Sequence, residues 1–104
     1  MIRHAFSMQL KPGCIDEYKR RHDEIWPDLA RAHSDAGISD FSIFVDDETE
    51  ALFAFQKLAD NHTASNLKSL DIVKKWWALN SDLMETHQDN EPKCVVLREV
   101  FHMD

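Results

Sequence analysis

The sequence EYKRRHDEIWP, residues 17–27, has the period of an amphipathic α-helix. Side chains three and four positions apart share one face of a helix. One face therefore carries Ile15, Tyr18, His22, Ile25, Trp26 and Leu29. The opposite, solvated face carries Lys19, Arg20, Asp23 and Glu24. The apolar face thus holds a phenol and an imidazole one turn apart, either as half-buried residues whose polar atoms find partners or as functional groups.

Pro27 lies inside this helical pattern. A proline lacks the backbone N–H and disfavours helical geometry at the residue before it. We therefore predict a kink or break at Trp26. The helical pattern then resumes and ends near Gly37, because glycine is a common residue at helix C-termini.

The flanking segments predict four strands and a second helix. Alternation of apolar and polar residues predicts a strand at residues 2–10, with His4 as a polar exception on the apolar side. Three further apolar segments, 41–45, 51–58 and 95–103, are also predicted to be strands. A short helical turn is expected at 61–67, and Ser69 is the expected N-cap of a second helix whose apolar face runs to Met84. The order β-α-β-β-α-β is that of an α+β ferredoxin-like sandwich, an antiparallel four-stranded sheet with both helices on one face.

The third strand is apolar on both sides, with Leu52 and Ala54 on one face and Phe53 and Phe55 on the other. An apolar sheet face away from the helices is an association surface. We therefore predict a homodimer with packed sheets, a dimeric α+β barrel. The alternative is an ordinary surface with one or two scattered phenylalanines.

Composition limits the classes of partner. The chain has 104 residues, 43% of them hydrophobic and 30% charged, which predicts a single domain over residues 1–104. A net charge of −7 argues against nucleic acid or an anionic membrane as partner. No segment has the length of a membrane span or the features of a signal peptide. Cys14 and Cys94 are expected to be free thiols, so we expect a cytoplasmic location.

Several kinds of chemistry lack their sequence signatures. The six histidines include no pair at the four-residue spacing of helical zinc sites, so we expect no metal. Gly13 and Gly37 are the only glycines, too few for a phosphate-binding loop, and no Gly-x-Ser-x-Gly motif is present, so we expect no cofactor. The adjacent Trp76 and Trp77 fit either a packed core or an aromatic platform for a sugar, and the pattern does not decide between them.

Particular motifs carry a resemblance over nearly the whole chain. They are Met1-Ile2-Arg3, Ala5-Phe6, Met8-Gln9, Glu17-Tyr18, Arg20-Arg21-His22, Ile25-Trp26-Pro27, Trp76-Trp77, Asp82, Met84, Asp89-Asn90, Pro92 and Glu99-Val100-Phe101. With these motifs at these separations, the chain resembles the L-rhamnose mutarotase family. The resemblance implies a cytoplasmic homodimer of ferredoxin-like subunits, an isomerase that interconverts the α and β anomers of L-rhamnose.

The resemblance also implies roles for five residues. His22 matches the family's proton donor, and Tyr18, Trp76 and Trp77 match residues that bind the sugar. At the fourth sugar-binding position this chain has Phe41 where the family pattern has tyrosine.

The implied chemistry suits an imidazole. Anomers exchange through ring opening and closure, which one group that alternates between acid and base near neutral pH catalyses, and histidine has a pKa of about 6.5. Two other functions fit the same features. One is a dimeric α+β barrel oxygenase or haem-handling protein with a helix histidine as axial ligand, and the other is a sugar-binding module without catalysis.

Overall fold

The computed structural model describes residues 1–104, which form a four-stranded antiparallel sheet with helices on one face. In chain order the elements are β1 (Ile2–Gln9), α1 (Ile15–Asp23), α2 (Pro27–Asp35), β2 (Ile38–Val45), β3 (Ala51–Leu58), a 3-10 helix (Ala64–Ser69), α3 (Asp71–Asn80) and β4 (Val95–Leu97). The strand order is β2-β3-β1-β4 with every pairing antiparallel. This topology confirms the predicted ferredoxin-like α+β fold.

The predicted helix divides at Trp26, as the proline requires. Helix α1 ends at Asp23, and α2 begins at Pro27. Trp26 is the N-cap of α2 and has an extended backbone, with φ −63° and ψ 129°. Pro27 takes the first helical position, where its missing N–H leaves no hydrogen bond unmade. The break therefore produces two short helices in place of one long helix.

The core lies between the sheet and the helices. Along β3, Leu52, Ala54, Gln56 and Leu58 are buried, whereas Phe53 faces away from the helices and is 43% exposed. Leu52 packs in a cluster with Leu10, Tyr18, Leu83 and Met84. The polar exception His4 is explained by the register, since it lies opposite Gln56 and their side chains hydrogen-bond, with the Gln56 Nε2 3.1 Å from the His4 Nδ1.

A β-bulge interrupts β2. Ser39 pairs with Lys57 and Ser42 with Phe55, so three steps along β2 match two along β3. In a regular strand, side chains an odd number of positions apart lie on opposite faces of the sheet. The extra residue of the bulge shifts this pattern by one, so Ile38 and Ile43, five positions apart, both face the helices. Asp40 has a positive φ of 50° within the bulge. Strand β2 therefore starts three residues before its predicted position and carries an irregularity that the sequence pattern did not indicate.

The second helix and the last strand are shorter than predicted. The N-cap of α3 is Leu70, not Ser69, whose hydroxyl instead donates to the carbonyl of Asn66 in the preceding 3-10 helix. Helix α3 ends at Asn80, and Leu83 and Met84 are buried beyond it. Strand β4 has three residues because it pairs only with Ala5, Phe6 and Ser7 of β1. The residues that follow it are exposed, although they alternate like a strand.

The state of the cysteines and the character of the helices can be compared with the predictions made from composition. Cys14 and Cys94 are free cysteines, as predicted. No helix combines the length and the apolar character needed to cross a membrane.

The two glycines provide a matched test of the fold. Both have positive φ, +78° at Gly13 and +90° at Gly37. A Cβ at Gly13 meets nothing within 4 Å, whereas one at Gly37 lies 3.1 Å from His62 Cα and 3.2 Å from Ala59 Cβ. We expect Gly13→Ala to lower the free energy of unfolding by about 1 kcal/mol, through backbone strain alone. Gly37→Ala, with crowding added, should lower it by more than about 2 kcal/mol.

Urea unfolding at one fixed protein concentration measures both changes. Equal decreases in the free energy of unfolding for the two variants would contradict the close packing of Gly37, between α2 and β2, against Ala59 and His62.

Candidate active site

A cavity of about 640 Å³ lies between the helices and the sheet. Its walls come from α1, α2 and α3, from β1, β2 and β3, and from the segment before β4. The structure brings all five predicted site residues together on these walls, namely His22, Tyr18, Phe41, Trp76 and Trp77. Their chemical roles remain a prediction.

The ring of His22 is oriented by its own helix. Its Nδ1 lies 3.0 Å from the backbone carbonyl oxygen of Tyr18, one turn earlier in α1. A carbonyl oxygen only accepts hydrogen bonds, so Nδ1 carries the proton and donates it. In the neutral ring, Nε2 is then the nitrogen that accepts a proton. The helix therefore fixes which nitrogen serves as the base.

Aromatic rings surround this imidazole on two sides. The rings of Tyr18 and His22 are 4.1 Å apart between centroids and inclined by 30°. The Trp76 ring approaches His22 edge-on, at 5.2 Å and 73°. Trp26, the N-cap of α2, packs edge-on against Trp76 at 5.1 Å and 75°. The imidazole is thus held between a ring of α1 and a ring of α3 that itself contacts α2.

Burial sets the protonation of the two polar groups on α1. It lowers the pKa of His22 below the ordinary value of 6.5, while the hydrogen bond to the Tyr18 carbonyl and the charge of Asp23 oppose this shift. Burial also raises the pKa of Tyr18, which is 7% exposed. At neutral pH the cavity therefore presents a neutral imidazole and a neutral phenol, a base and a hydroxyl.

Phe41 lies at the more open side of the cavity, next to the bulge of β2. Its side chain is 42% exposed, and its ring meets the His33 ring edge-on at 6.1 Å. His33 belongs to α2 and has the same local arrangement as His22, with Nδ1 2.9 Å from the carbonyl oxygen of Leu29. His33 was not predicted as a site residue, because the break at Pro27 removes any helical spacing that relates it to His22.

Two buried amides on the cavity wall were also not predicted. Among the buried residues, only Gln56 and Asn80 have an amide or charged side chain, and both line the cavity. The Asn80 Nδ2 donates to the carbonyl of Trp76 at 3.0 Å, and its Oδ1 has no hydrogen-bond partner. Sequence spacing gives one signal for Asn80, since it follows Trp76 by four positions in the same helix.

Together these groups can perform general acid–base chemistry on a small hydroxylated ligand. The imidazole exchanges a proton through Nε2, and the aromatic side chains offer flat apolar surfaces beside hydrogen-bonding groups. No group of three or more His, Cys, Asp or Glu side chains is arranged to hold a metal ion.

The fold and the cavity define a class, a ferredoxin-like α+β domain with a neutral histidine in an aromatic cavity on the helical side of its sheet. Comparison with known proteins identifies the family. A sequence model of L-rhamnose mutarotase matches residues 3–103, so the chain belongs to the L-rhamnose mutarotase family.

Similar proteins support this membership over the full length. L-rhamnose mutarotases from Flavobacterium johnsoniae and Jannaschia sp. are 52% and 50% identical to the chain over 103 residues. These alignments cover 99% of this chain and 96% and 99% of the two relatives. The crystal structure of an L-rhamnose mutarotase from Formosa agariphila superimposes with a TM-score of 0.94 at 44% identity, covering 100% of both chains.

The pKa of His22 gives a prediction with a definite sign. Because burial lowers it, an NMR titration of the His22 ring should give a midpoint below 6.5. Since folding favours the neutral ring, its contribution to stability is present above pH 6.5 and is lost as pH falls from 6.5 through the folded pKa. The same titration in the urea-unfolded protein is the control, and a folded midpoint equal to or above the unfolded one would contradict the burial.

Proposed function

We propose that this chain, acting as a single mutarotase domain over residues 1–104, interconverts the α and β anomers of L-rhamnose, with His22 as the proton-transfer group. The observation that carries the proposal is the hydrogen bond from the His22 Nδ1 to the Tyr18 carbonyl inside an aromatic cavity. It leaves Nε2 of a neutral imidazole as the base, the form that acid–base catalysis needs at the start of the reaction. The identity of the sugar, L-rhamnose, is inferred from family membership.

The reaction is balanced with one histidine. Nε2 of His22 accepts the proton of the anomeric hydroxyl, the bond between the anomeric carbon and the ring oxygen breaks, and the imidazolium gives its proton to the ring oxygen. After the carbonyl rotates, the same steps in reverse close the ring on the opposite face. The proton returns to the new anomeric hydroxyl, and His22 is neutral again. No net oxidation or group transfer occurs, so no cofactor is proposed.

The aromatic residues are proposed to hold the sugar while its ring opens. Trp76 and Trp77 line the cavity from α3 and offer indole faces to the apolar side of the sugar. Tyr18 offers a neutral hydroxyl, since burial raises its pKa. Holding the open-chain sugar beside His22 adds a positioning effect to the proton transfer.

Phe41 is proposed as a fourth sugar contact without a hydroxyl. A neutral hydrogen bond contributes about 0.5–1.5 kcal/mol, too little for its loss to abolish binding. Phe41 keeps the ring on the cavity wall and is partly open to solvent, so water replaces the missing partner of the sugar hydroxyl. L-rhamnose therefore remains the proposed substrate.

The proposal includes a homodimer formed through the sheet face opposite the helices. Phe44 and Phe53 are neighbours in the β2–β3 register, and they are 68% and 43% exposed. Val95 continues this apolar face on β4, and the apolar side chains after β4 are exposed as well. Two copies related by a two-fold axis cover this face mutually. The two free cysteines support a reducing, cytoplasmic location.

The catalytic role is tested by NMR exchange between the α and β anomeric protons of L-rhamnose at equilibrium. We expect the protein to accelerate this exchange and His22→Ala to reduce the catalysed rate constant by about 10²–10⁴-fold, the usual contribution of a general acid–base group. His102→Ala, the same substitution in the exposed C-terminal segment, should leave the rate unchanged.

Full exchange in a folded His22→Ala protein would sink the assignment of His22. A wild-type protein that binds L-rhamnose and leaves exchange at the solvent rate would instead indicate a sugar-binding module. A visible absorption band in the purified protein would indicate the haem-handling alternative.

The dimer is tested by light scattering at micromolar concentration. We expect a mass about twice the 12.1 kDa of the chain. Phe53→Lys should shift the mass toward the monomer, because a charge would be buried in the interface. Leu79→Lys is the matched control, since Leu79 is 44% exposed on α3, away from this face. A monomeric wild type, or equal effects of the two variants, would contradict the proposed interface.

A further inference from the structure

The side chain of Arg21 connects α1 to the C-terminal end of α3. Its Nε donates to Oε2 of Glu17 at 2.7 Å within α1. Its Nη1 donates to the backbone carbonyl of Leu79 at 2.9 Å and to Oδ1 of Asp82 at 2.9 Å, and its Nη2 donates to Oδ2 of Asp82 at 3.2 Å. The guanidinium is thus bound by groups on both sides of the gap between the two helices.

No other ion pair of α1 reaches a distant part of the chain. Lys19 pairs with Asp23, and Arg20 pairs with Glu17 and Glu24, all within α1 or at its end. The Arg21 side chain is 16% exposed, whereas that of Arg20 is 58% exposed. Solvent therefore reaches the guanidinium of Arg20 more than that of Arg21, although Asp82 is itself 62% exposed.

The bonds of Arg21 suit their place at a helix end. The last carbonyls of a helix have no partner within the helix, and the negative end of its dipole attracts a cation. Arg21 satisfies the carbonyl of Leu79 and forms a two-point pair with Asp82, a geometry that a guanidinium holds rigidly. These bonds raise the pKa of Arg21 and lower that of Asp82, so both stay charged.

The two helices that Arg21 joins carry the two rings in contact across the cavity. His22 is the next residue of α1, and Trp76 lies one turn before Leu79 on α3. The edge-on contact of their rings, at 5.2 Å, is therefore held on one side by the bonds of Arg21. An exposed surface arginine such as Arg20 has no comparable connection.

We propose that Arg21 is a positioning residue, which fixes α1 against the end of α3 and thereby sets the separation of the His22 and Trp76 rings. Its effect on catalysis rests on the proposed function, since it acts through His22. Small displacements of reacting groups reduce rates strongly, by roughly 10²-fold for about 1 Å. The geometric part of the proposal holds for any reaction in this cavity.

The first measurement compares Arg21→Met with Arg20→Met in the anomer-exchange assay. Both variants replace an arginine of α1 by an unbranched apolar side chain and remove a pair with Glu17. Only Arg21→Met also removes the bonds to the end of α3 and to Asp82 just after it. We expect the catalysed rate constant to fall about tenfold or more in Arg21→Met and to change by less than about twofold in Arg20→Met. Rates are taken per folded protein, well below the unfolding temperature.

The second measurement follows tryptophan fluorescence against pH and needs no sugar. A protonated imidazole in contact with an indole quenches its fluorescence, so the intensity should fall as His22 becomes protonated. The step that disappears in His22→Ala belongs to His22 rather than to His33, the other imidazole of the cavity. We expect the amplitude of this step to shrink in Arg21→Met and to be kept in Arg20→Met, a difference that lost stability alone does not produce.

The outcomes separate the two proposals. If the wild type does not accelerate exchange, the proposed function fails, and the fluorescence step still tests Arg21. An Arg21→Met protein that keeps both its rate and the His22 step overturns the positioning role, and so does a lost rate with an unchanged step. A wild type without a His22-dependent step overturns the ring contact itself.

Asp82→Ala serves where Arg21→Met fails to fold. Asp82 is 62% exposed, so the fold tolerates its loss, and the variant removes two of the four bonds of Arg21. We expect changes in the same direction and smaller than those expected of Arg21→Met. An Asp82→Ala protein with the rate and the fluorescence step of the wild type overturns the proposal.

Discussion

The position of Pro27 determines how the N-terminal half of the chain covers the sheet. A continuous helix from residue 15 to residue 35 would be about 30 Å long. The proline divides it into two nine-residue helices with an extended Trp26 between them. Trp26 then packs against Trp76 of α3. All three helices then contribute to the cavity wall.

Local bonds within these helices orient the two imidazoles of the cavity. His22 and His33 each use Nδ1 to donate to the carbonyl four residues earlier. Such a bond lies within a single helix, so it forms whenever the helix forms and needs no tertiary partner. Both imidazoles therefore reach the cavity wall with the same tautomer. Tertiary structure adds what the helices alone lack, namely the aromatic contacts and the burial that lowers the pKa of His22.

The sequence was most informative where local rules decide the structure. The break at Trp26 follows from proline geometry, and the bounds of β3, Ala51–Leu58, follow from an apolar segment that begins after a polar turn; both were predicted. The bulge in β2 was not, because the register with Lys57 and Phe55 belongs to the partner strand. Helical spacing and the family motifs found His22 and its aromatic neighbours. Asn80 and Gln56 were not predicted, because no sequence pattern marks a buried amide and only the tertiary structure places these two side chains on the cavity wall.

The cavity opposes the stability of the fold that contains it. A packed interior would place apolar side chains where Gln56 and Asn80 lie. Open space beside Tyr18 and His22 also forgoes the dispersion contacts of close packing. A functional site commonly departs from the local rules of stability in this way, and bonds elsewhere compensate. The bonds from Arg21 across the gap between α1 and the end of α3 meet this need, because they join the cavity walls from outside and leave its interior open.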